Sequence, residues 1–420
     1  MSELSRRRFL QVTAGVGAVV ALHGLRSAAR ALEPAPSGGR WLAGDFHVHT
    51  TYSHDVWSGP GDDNTTEQDA YTLGWTPAEQ ILIAETRGLD FVALTDHSRT
   101  DALRDPGYKS SKLTLVPGYE HSLSPGHAGV FVGSAADLPD QLHDLDGTTG
   151  FAGEDGLTRF LDLVHGIEHG VAVLNHPHSN GGSAKWSRPV GLDTKSLGFD
   201  AVEAWNGRWQ QRAETVPFSY SDNYLALPWW EDNFLRDGHR HLGITGGSDN
   251  HWRSVTAVAG VGQPTTWVYA ATNEPWAILD GVRAGRTFVS AEPPLHKGPR
   301  LFLTAGDAMV GGEIAPLGAA AVRVTVEGGS GQRVRLISTG DVVAEWLVVG
   351  PTSQHETSVV LPEGGWLRAE LLAEPGFLVT AVTSPIFAGP TPAPLPVAPT
   401  PGVRVTYATP PVTIPETQCC

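Results

Sequence analysis

The sequence predicts an α/β protein in two parts: a mostly parallel strand-and-helix barrel over residues 41–295, then a small antiparallel β-sandwich over 298–387. Three observations predict it. Short apolar runs alternate with helix-patterned stretches, which is the pattern of βα units and a parallel sheet. Chemically loaded residues fall again and again just after those runs, where barrel enzymes place their active sites. From Lys297 the texture changes to period-two runs between Gly-rich turns, such as Val322, Val324 and Val326 alternating with Arg323, Thr325 and Glu327.

Each element has a local reason. The first core strand runs into Asp45–Asp55, DFHVHTTYSHD. Residues two apart on a strand share a face, so His47 and His49 present two imidazoles to one point, and His54 follows on the loop. Thr76-Pro77-Ala78-Glu79 is a capping box with proline at the first helical position, and Gly88 is placed to end that helix. Leu89–Leu94 is a buried strand delivering Thr95-Asp96-His97-Ser98. Leu113–Val116 delivers Gly118-Tyr119-Glu120-His121, and His127 introduces Gly129–Val132. Leu157–Glu168 reads as a helix, and Val171–Leu174 as a strand ending in Asn175-His176-Pro177-His178. Phe199–Ala204 is a strand with Glu203 inside it, ending in Trp205-Asn206. Asp222–Arg236 is helical, His241–Thr245 delivers Ser248-Asp249-Asn250-His251, and Asn273–Ala284 is a last helix capped by Gly285. Leu367, Ala369 and Leu371 continue the period-two pattern of the sandwich, and residues 388–420, with nine prolines, read as an extended tail.

The N-terminus reads as an address. Ser5-Arg6-Arg7-Arg8-Phe9-Leu10-Gln11 has the twin-arginine pattern, Val12–Leu22 is an apolar Gly/Ala-rich run, and Ala29-Arg30-Ala31 is a small-x-small cleavage site. The apolar run is too short for a stable membrane span. Residues 1–31 are therefore expected to be a twin-arginine signal peptide, with the export machinery as a partner and a periplasmic or extracellular destination. A net charge of −16 argues against nucleic acid as a partner. The only cysteines are Cys419 and Cys420, so no thiolate ligand and no disulfide is expected in the body of the chain.

The strand-end residues are His47, His49, His54, His97, Glu120, His127, His176, Asp249 and His251. Imidazole and carboxylate without sulfur suit Zn, Mn or Fe. Nine ligands exceed one tetrahedral zinc and suit two or three divalent ions, with Glu120 long enough to bridge a pair. His-x-His, Asp-His, Gly-x-Glu, His-Pro and Ser-Asp-x-His, in this order, resemble the polymerase and histidinol phosphatase (PHP) family over about Asp45 to Glu292. Gly118-Tyr119-Glu120…Pro125-Gly126-His127 and Pro264-Thr265-Thr266…Gly285-Arg286-Thr287 look closest to its secreted aryl-carbamate (carbaryl-type) hydrolase branch.

The resemblance implies a distorted (β/α)7 barrel with two or three metals. It implies a first metal on His47, His49, Glu120 and Asp249, and a second on Glu120, His127 and His176. A third would take His54, His97 and His251, with Asp55 as the spare carboxylate; many relatives carry Asp where this chain has His54. A metal-bridging hydroxide would then attack phosphorus or a carbonyl. The small-molecule substrate expected is a phosphoester, with an aryl ester or carbamate as the alternative and a non-catalytic binding module as the second. Convergent Arg or Lys would favour phosphate, and an apolar tryptophan-lined pocket an aryl ester.

Other polar residues take weaker roles. Asp96 is a candidate to orient an imidazole, and His178 to protonate a leaving group. Arg99, Lys185, Arg188 and Asn206 are candidates to bind substrate, with Trp205 lining the pocket. Trp229 and Trp230 read as helix-face packing, His121 as a loop residue, and His165 and His169 as surface.

Overall fold

The computed structural model describes residues 37–53, 56, 73–123, 126–138, 153–178, 186, 198–209, 223–236, 241–251, 260–373 and 378–389. The chain divides into Met1–Pro34 and Ala35–Cys420, and all that follows concerns the second unit. The twin-arginine segment, His54, Asp55, Lys185, Arg188 and the Pro-rich tail lie outside the described residues.

The first ten strands are β1 (Arg40–Asp45), β2 (Phe91–Val92), β3 (Thr114–Leu115), β4 (Gly118–Ser122), β5 (His127–Phe131), β6 (Val171–Leu174), β7 (Ala201–Asn206), β8 (Gly243–Gly247), β9 (Thr265–Ala270) and β10 (Thr287–Ser290). Four α-helices stand between them among the described residues: α1 (Pro77–Thr86), α2 (Gly153–Gly166), α3 (Asn223–Trp230) and α4 (Pro275–Arg283). The capping box at Thr76 and Glu79 is formed in both directions, and Gly88 just past α1 has φ +77°, the conformation that only glycine adopts freely. A π-helical turn, Glu231–Arg236, extends α3.

Strands β1, β2 and β3 pair in parallel. Strands β4 to β8 form a second sheet, antiparallel from β4 to β6 and parallel from β6 to β8. Two isolated parallel bridges join these sheets, Val48 with Asn250 and His97 with Glu120. Both bridges lie at the strand ends that carry histidines. The architecture is thus mixed α/β, with buried strands such as Val171–Leu174 flanked by few helices.

The second half comprises β11 (Arg300–Ala305), β12 (Ala308–Met309), β13 (Glu313–Ile314), β14 (Ala319–Glu327), β15 (Arg333–Ser338), β16 (Asp341–Leu347), β17 (Thr352–Val360), β18 (Trp366–Ala373), β19 (Leu378–Thr383) and β20 (Ile386–Ala388). Strands β12-β11-β14-β17 form one sheet. Its inward residues Leu301, Leu303, Val322, Val324 and Val326 share an apolar core with Val334, Leu336, Leu367, Ala369 and Leu371. The other strands are not a separate layer. They continue the first sheet, in the order β13-β20-β18-β19-β10-β9-β1-β2-β3, with β15 and β16 branching from β18. The joint is β19 on β10, pairing Phe288 with Thr383 and Ser290 with Ala381. Strand β10 is fully buried, so its outer edge needs a partner for its backbone groups, and β19 supplies it.

A buried ion cluster braces this joint. Arg368 on β18 donates to Glu231 Oε1 on the π-helical turn at 2.6 Å and to Glu370 Oε2 at 2.9 Å. All three side chains are buried. Replacing Arg368 with Met should cost about 3–5 kcal/mol, because two buried carboxylates lose their shared cation. Urea unfolding of the full chain measures this, and a loss below about 1 kcal/mol would refute it.

Candidate metal centre

The centre is built on strand ends held rigid by backbone hydrogen bonds. Asp45, fully buried at the end of β1, accepts the N–H groups of His47 (3.0 Å), Ser248 (3.0 Å) and Gly262 (2.7 Å). Burial pushes its carboxyl up to about 6 although these bonds pull it down. Thr95 Oγ1 accepts the N–H of Val48, and Asp96 accepts the hydroxyl of Thr50 at 2.8 Å. Asp96 thus fastens the segment that carries His49. With the backbone extended, His47 and His49 face the same point, their Nε2 atoms 3.0 Å apart.

Glu120 on β4 lies at the middle of the cluster, fully buried. Its Oε2 is 3.3 Å from His47, 3.4 Å from His49 and 3.1 Å from His97. Its Oε1 is 3.4 Å from His127 and 3.0 Å from His176, and it accepts the Asn175 amide at 2.8 Å. Asp249 Oδ1 stands 3.3 Å from both His47 and His251 and 3.2 Å from His49. The His251 ring stacks on His49 with centroids 3.7 Å apart. Ser98, His176 and Asp249 have φ of +48°, +24° and +51°, a region that L-residues occupy only when their surroundings impose it. Eight of the nine strand-end residues therefore meet in one place.

The geometry fits divalent ions. Each carboxylate closes a near-equilateral triangle with His47 Nε2 and His49 Nε2, with sides of 3.0–3.4 Å. A tetrahedral ion with ligands at about 2.0–2.1 Å has ligand–ligand edges of about 3.3 Å. Four overlapping triads have donor atoms within 4.8 Å of one another: His47/His49/Glu120, His47/His176/Asp249, His97/Glu120/His127 and His49/His97/His251. Glu120 Oε2 and His127 Nδ1 are buried without a hydrogen-bond partner, as ligand atoms are. The grouping differs in part from the implied one: His97 sits with Glu120 and His127 as well as with His251, and His176 with His47 and Asp249 as well as near Glu120.

Several side chains lie elsewhere than the sequence suggests. His121 is not on a loop; it is buried on β4, stacked on Phe160 at 5.0 Å, and burial pushes it down to about 4. His165 and His169 are half-buried and bonded to carboxylates, His165 to Asp200 and His169 to Asp280, both at 3.0 Å. Arg99 is held by Asp101 at 3.6 Å and by the Tyr52 carbonyl. Asn206 spends its amide on Asp249 (3.1 Å) and Glu203 (3.2 Å). His178 is half-buried with its ring edge-on to Trp229, 6.2 Å between centroids, and is not one of the groups around Glu120. Trp205 is buried beside Trp209, and Trp230 is buried with its indole N–H on the Leu242 carbonyl. Sequence reasoning missed Glu203, Asn175 and Ser53, which contact His47, Glu120 and His49 directly. For Glu203 the one signal was a charged residue inside a buried strand.

A search of protein-family models returned no match to the chain, and a search of curated proteins returned none either. Solved structures do resemble it. One is a two-domain protein from Bacteroides vulgatus containing a predicted PHP-like metal-dependent phosphoesterase, 15% identical, covering 84% of this chain and 99% of that one, with a TM-score of 0.39. A candidate metal-dependent phosphoesterase from Bifidobacterium adolescentis is 18% identical over 54% and 92% of the two chains, TM-score 0.30. An amidohydrolase from Chromobacterium violaceum, with bound sulfate and no metal, is 17% identical over 51% and 89%, TM-score 0.31. No helix among the described residues is long and apolar enough to cross a membrane.

The cluster's electrostatics set its pH behaviour. Burial alone would lower His47 and His176, but Asp249, Glu120 and Glu203 outweigh it, raising His47 well above 6.5 and His176 to about 9. Burial likewise opposes charge on Glu120 and Asp249, yet the surrounding imidazoles hold both well below the ordinary carboxylate range. In metal-stripped protein the raised histidines stabilise the fold fully below pH 6.5, and that stabilisation is lost as pH rises through about 9. Metal ligation must displace the same protons, so affinity rises over that window. Melting curves of stripped protein should therefore fall between pH 7 and 9, while zinc titrations show tighter binding and proton release. Pure pH-independence of both would refute the assignment.

Proposed function

We propose that the protein is a metal-dependent hydrolase of the polymerase and histidinol phosphatase type, acting on a small phosphoester. The observation that carries this reading is the Glu120 carboxylate within 3.0–3.4 Å of five imidazoles. A buried carboxylate so placed has both oxygens turned to separate groups of nitrogen donors, the arrangement a shared ligand requires. His47, His49, Asp249, His97, His127, His176 and His251 would complete the ligand sets. Divalent ions held there would supply Lewis acidity toward a phosphoryl or carbonyl oxygen and would acidify water.

The chain's own residues do the rest. Glu120 and Asp249 bring negative charge that keeps cations in a desolvated site. The strained backbone at His176 and Asp249 aims both side chains inward. His178, two residues beyond His176, is the candidate for protonating a leaving group. The whole barrel-like ring of β1, β2 and β4–β8, joined by the bridges at Val48 and His97, is the (β/α)7-type scaffold in this reading. Export by the twin-arginine route belongs to the same proposal, since that route carries folded, metal-loaded proteins.

An aryl ester or carbamate is the second reading. It is favoured by the partly exposed His178 against Trp229, together with Arg99 held by Asp101 and so not free for a phosphate. Elemental analysis of the purified full chain should find two or three Zn, Mn or Fe ions. Hydrolysis of p-nitrophenyl phosphate, bis-p-nitrophenyl phosphate and a naphthyl carbamate then separates the two substrates. Glu120→Gln should keep its circular dichroism and lose at least about a thousand-fold in turnover, the scale of several kcal/mol of transition-state stabilisation. Stoichiometric metal with full activity in that variant would sink the reading.

A further inference from the structure

Strand β7 reads Ala201-Val202-Glu203-Ala204-Trp205-Asn206. In a regular strand Glu203 and Asn206, three apart, face opposite sides. Here the pairing with β8 runs Glu203 with Thr245, then Trp205 with Gly246 and Asn206 with Gly247, so Ala204 has no partner. An extra residue in one strand is a bulge, and bulges re-aim side chains. This one turns Glu203 and Asn206 to the same side, with Asn206 Nδ2 3.2 Å from Glu203 Oε2.

The pair then reaches three segments of the centre. Glu203 Oε1 is 2.9 Å from His47 Nδ1, and Oε2 accepts the backbone N–H of His176 at 2.9 Å. Asn206 Nδ2 also lies 3.1 Å from Asp249 Oδ2, the oxygen turned away from the imidazoles. Gly247 makes this approach feasible, since a Cβ there would run into His47 Cβ and Glu203 Oε1. A carboxylate only accepts, so His47 must carry its proton on Nδ1 and keep the Nε2 lone pair for ligation.

We propose that Glu203 and Asn206 are the positioning pair of the metal centre, Glu203 setting the tautomer and angle of His47, and Asn206 turning Asp249 so that Oδ1 faces His47 and His49. This rests on the metal reading given above. A purely structural glutamate would satisfy the surrounding core. The donors to this one are a ligand's ring, a ligand's backbone and the amide that holds a third ligand.

Glutamine is the informative replacement. Glu203 takes donors on both oxygens, and Gln has one oxygen and one NH₂. The NH₂ must face either His47 Nδ1–H or the two N–H groups on the other side, so volume is kept and aim is lost. The test uses the full chain, stripped with chelator and titrated with cobalt(II). Wild type should bind with a visible ligand-field spectrum. Glu203→Gln should bind about 10–100-fold more weakly with a shifted spectrum. Asn206→Ala should shift both in the same direction by a smaller factor, and it carries the test should Glu203→Gln fail to fold. Melting of the stripped variants reports folding separately. Unchanged cobalt affinity and spectrum in folded variants would overturn the proposal while leaving the metal reading intact. A wild-type chain that takes up no cobalt would overturn the metal reading itself.

Discussion

A single carboxylate, Glu120, buried among five imidazoles is the interaction on which the rest of this structure turns. Removing a carboxylate from water is unfavourable by several kcal/mol unless cations or donors replace its hydration. Here the replacement comes from the segments that follow β1, β2 and β6, and from the first residue of β5. Those segments are far apart in sequence, so the site exists only when the strands that deliver them are in register. The bridges of Val48 with Asn250 and His97 with Glu120 lie at that level of the structure.

The support for that register extends beyond the strands that carry ligands. Strand β1 bears His47 and His49 just past its end and pairs along its other edge with β9 over five residues. Strand β9 pairs with β10, and β10 with β19 from the C-terminal half. The C-terminal strands therefore form the far side of the sheet that positions the first two histidines. Arg368, Glu231 and Glu370 brace the same region from the helical side. Among the described residues the C-terminal half contributes no group to the cluster, and its strands complete a sheet whose free edge would otherwise fall beside the buried strand β10.

What could be read in the sequence follows from which rules are local. The period of two puts His47 and His49 on one face whatever the tertiary fold, and the capping box at Thr76 needs only four residues. Helix ends at Gly88 and Gly285 were legible because left-handed positions favour glycine. The clustering of His97, Glu120, His127, His176, Asp249 and His251 was legible as residues at strand ends. Three features were not. The bulge at Ala204 depends on pairing with β8, so the period of two hid the shared face of Glu203 and Asn206. The β10–β19 joint depends on strand order, which alternation of apolar and polar residues does not encode. His121 looked like a loop residue because a polar residue beside Glu120 gives no sign of the aromatic ring, Phe160, that covers it.

Protons and a bound cation would compete for this centre, which couples its stability to its occupancy. With the buried Glu120 and Glu203 packed near the partly exposed Asp249, negative charge accumulates where water screens it only weakly. In the protein alone the answer is protonation of His47 and His176, each held in its charged form by those carboxylates. Divalent ions would answer the same demand with more charge, accepting imidazole lone pairs whose directions the ring orientations already set. The imidazoles are locked from behind: His47 by Glu203, His49 by Ser53 and His251 by the Asp249 carbonyl. A ring so held cannot swing away to relieve crowding when its proton leaves. Losing the proton therefore raises the free energy of the cluster and would favour a cation in its place, so the fold that makes the site costly without positive charge is also the fold that suits it to a metal ion.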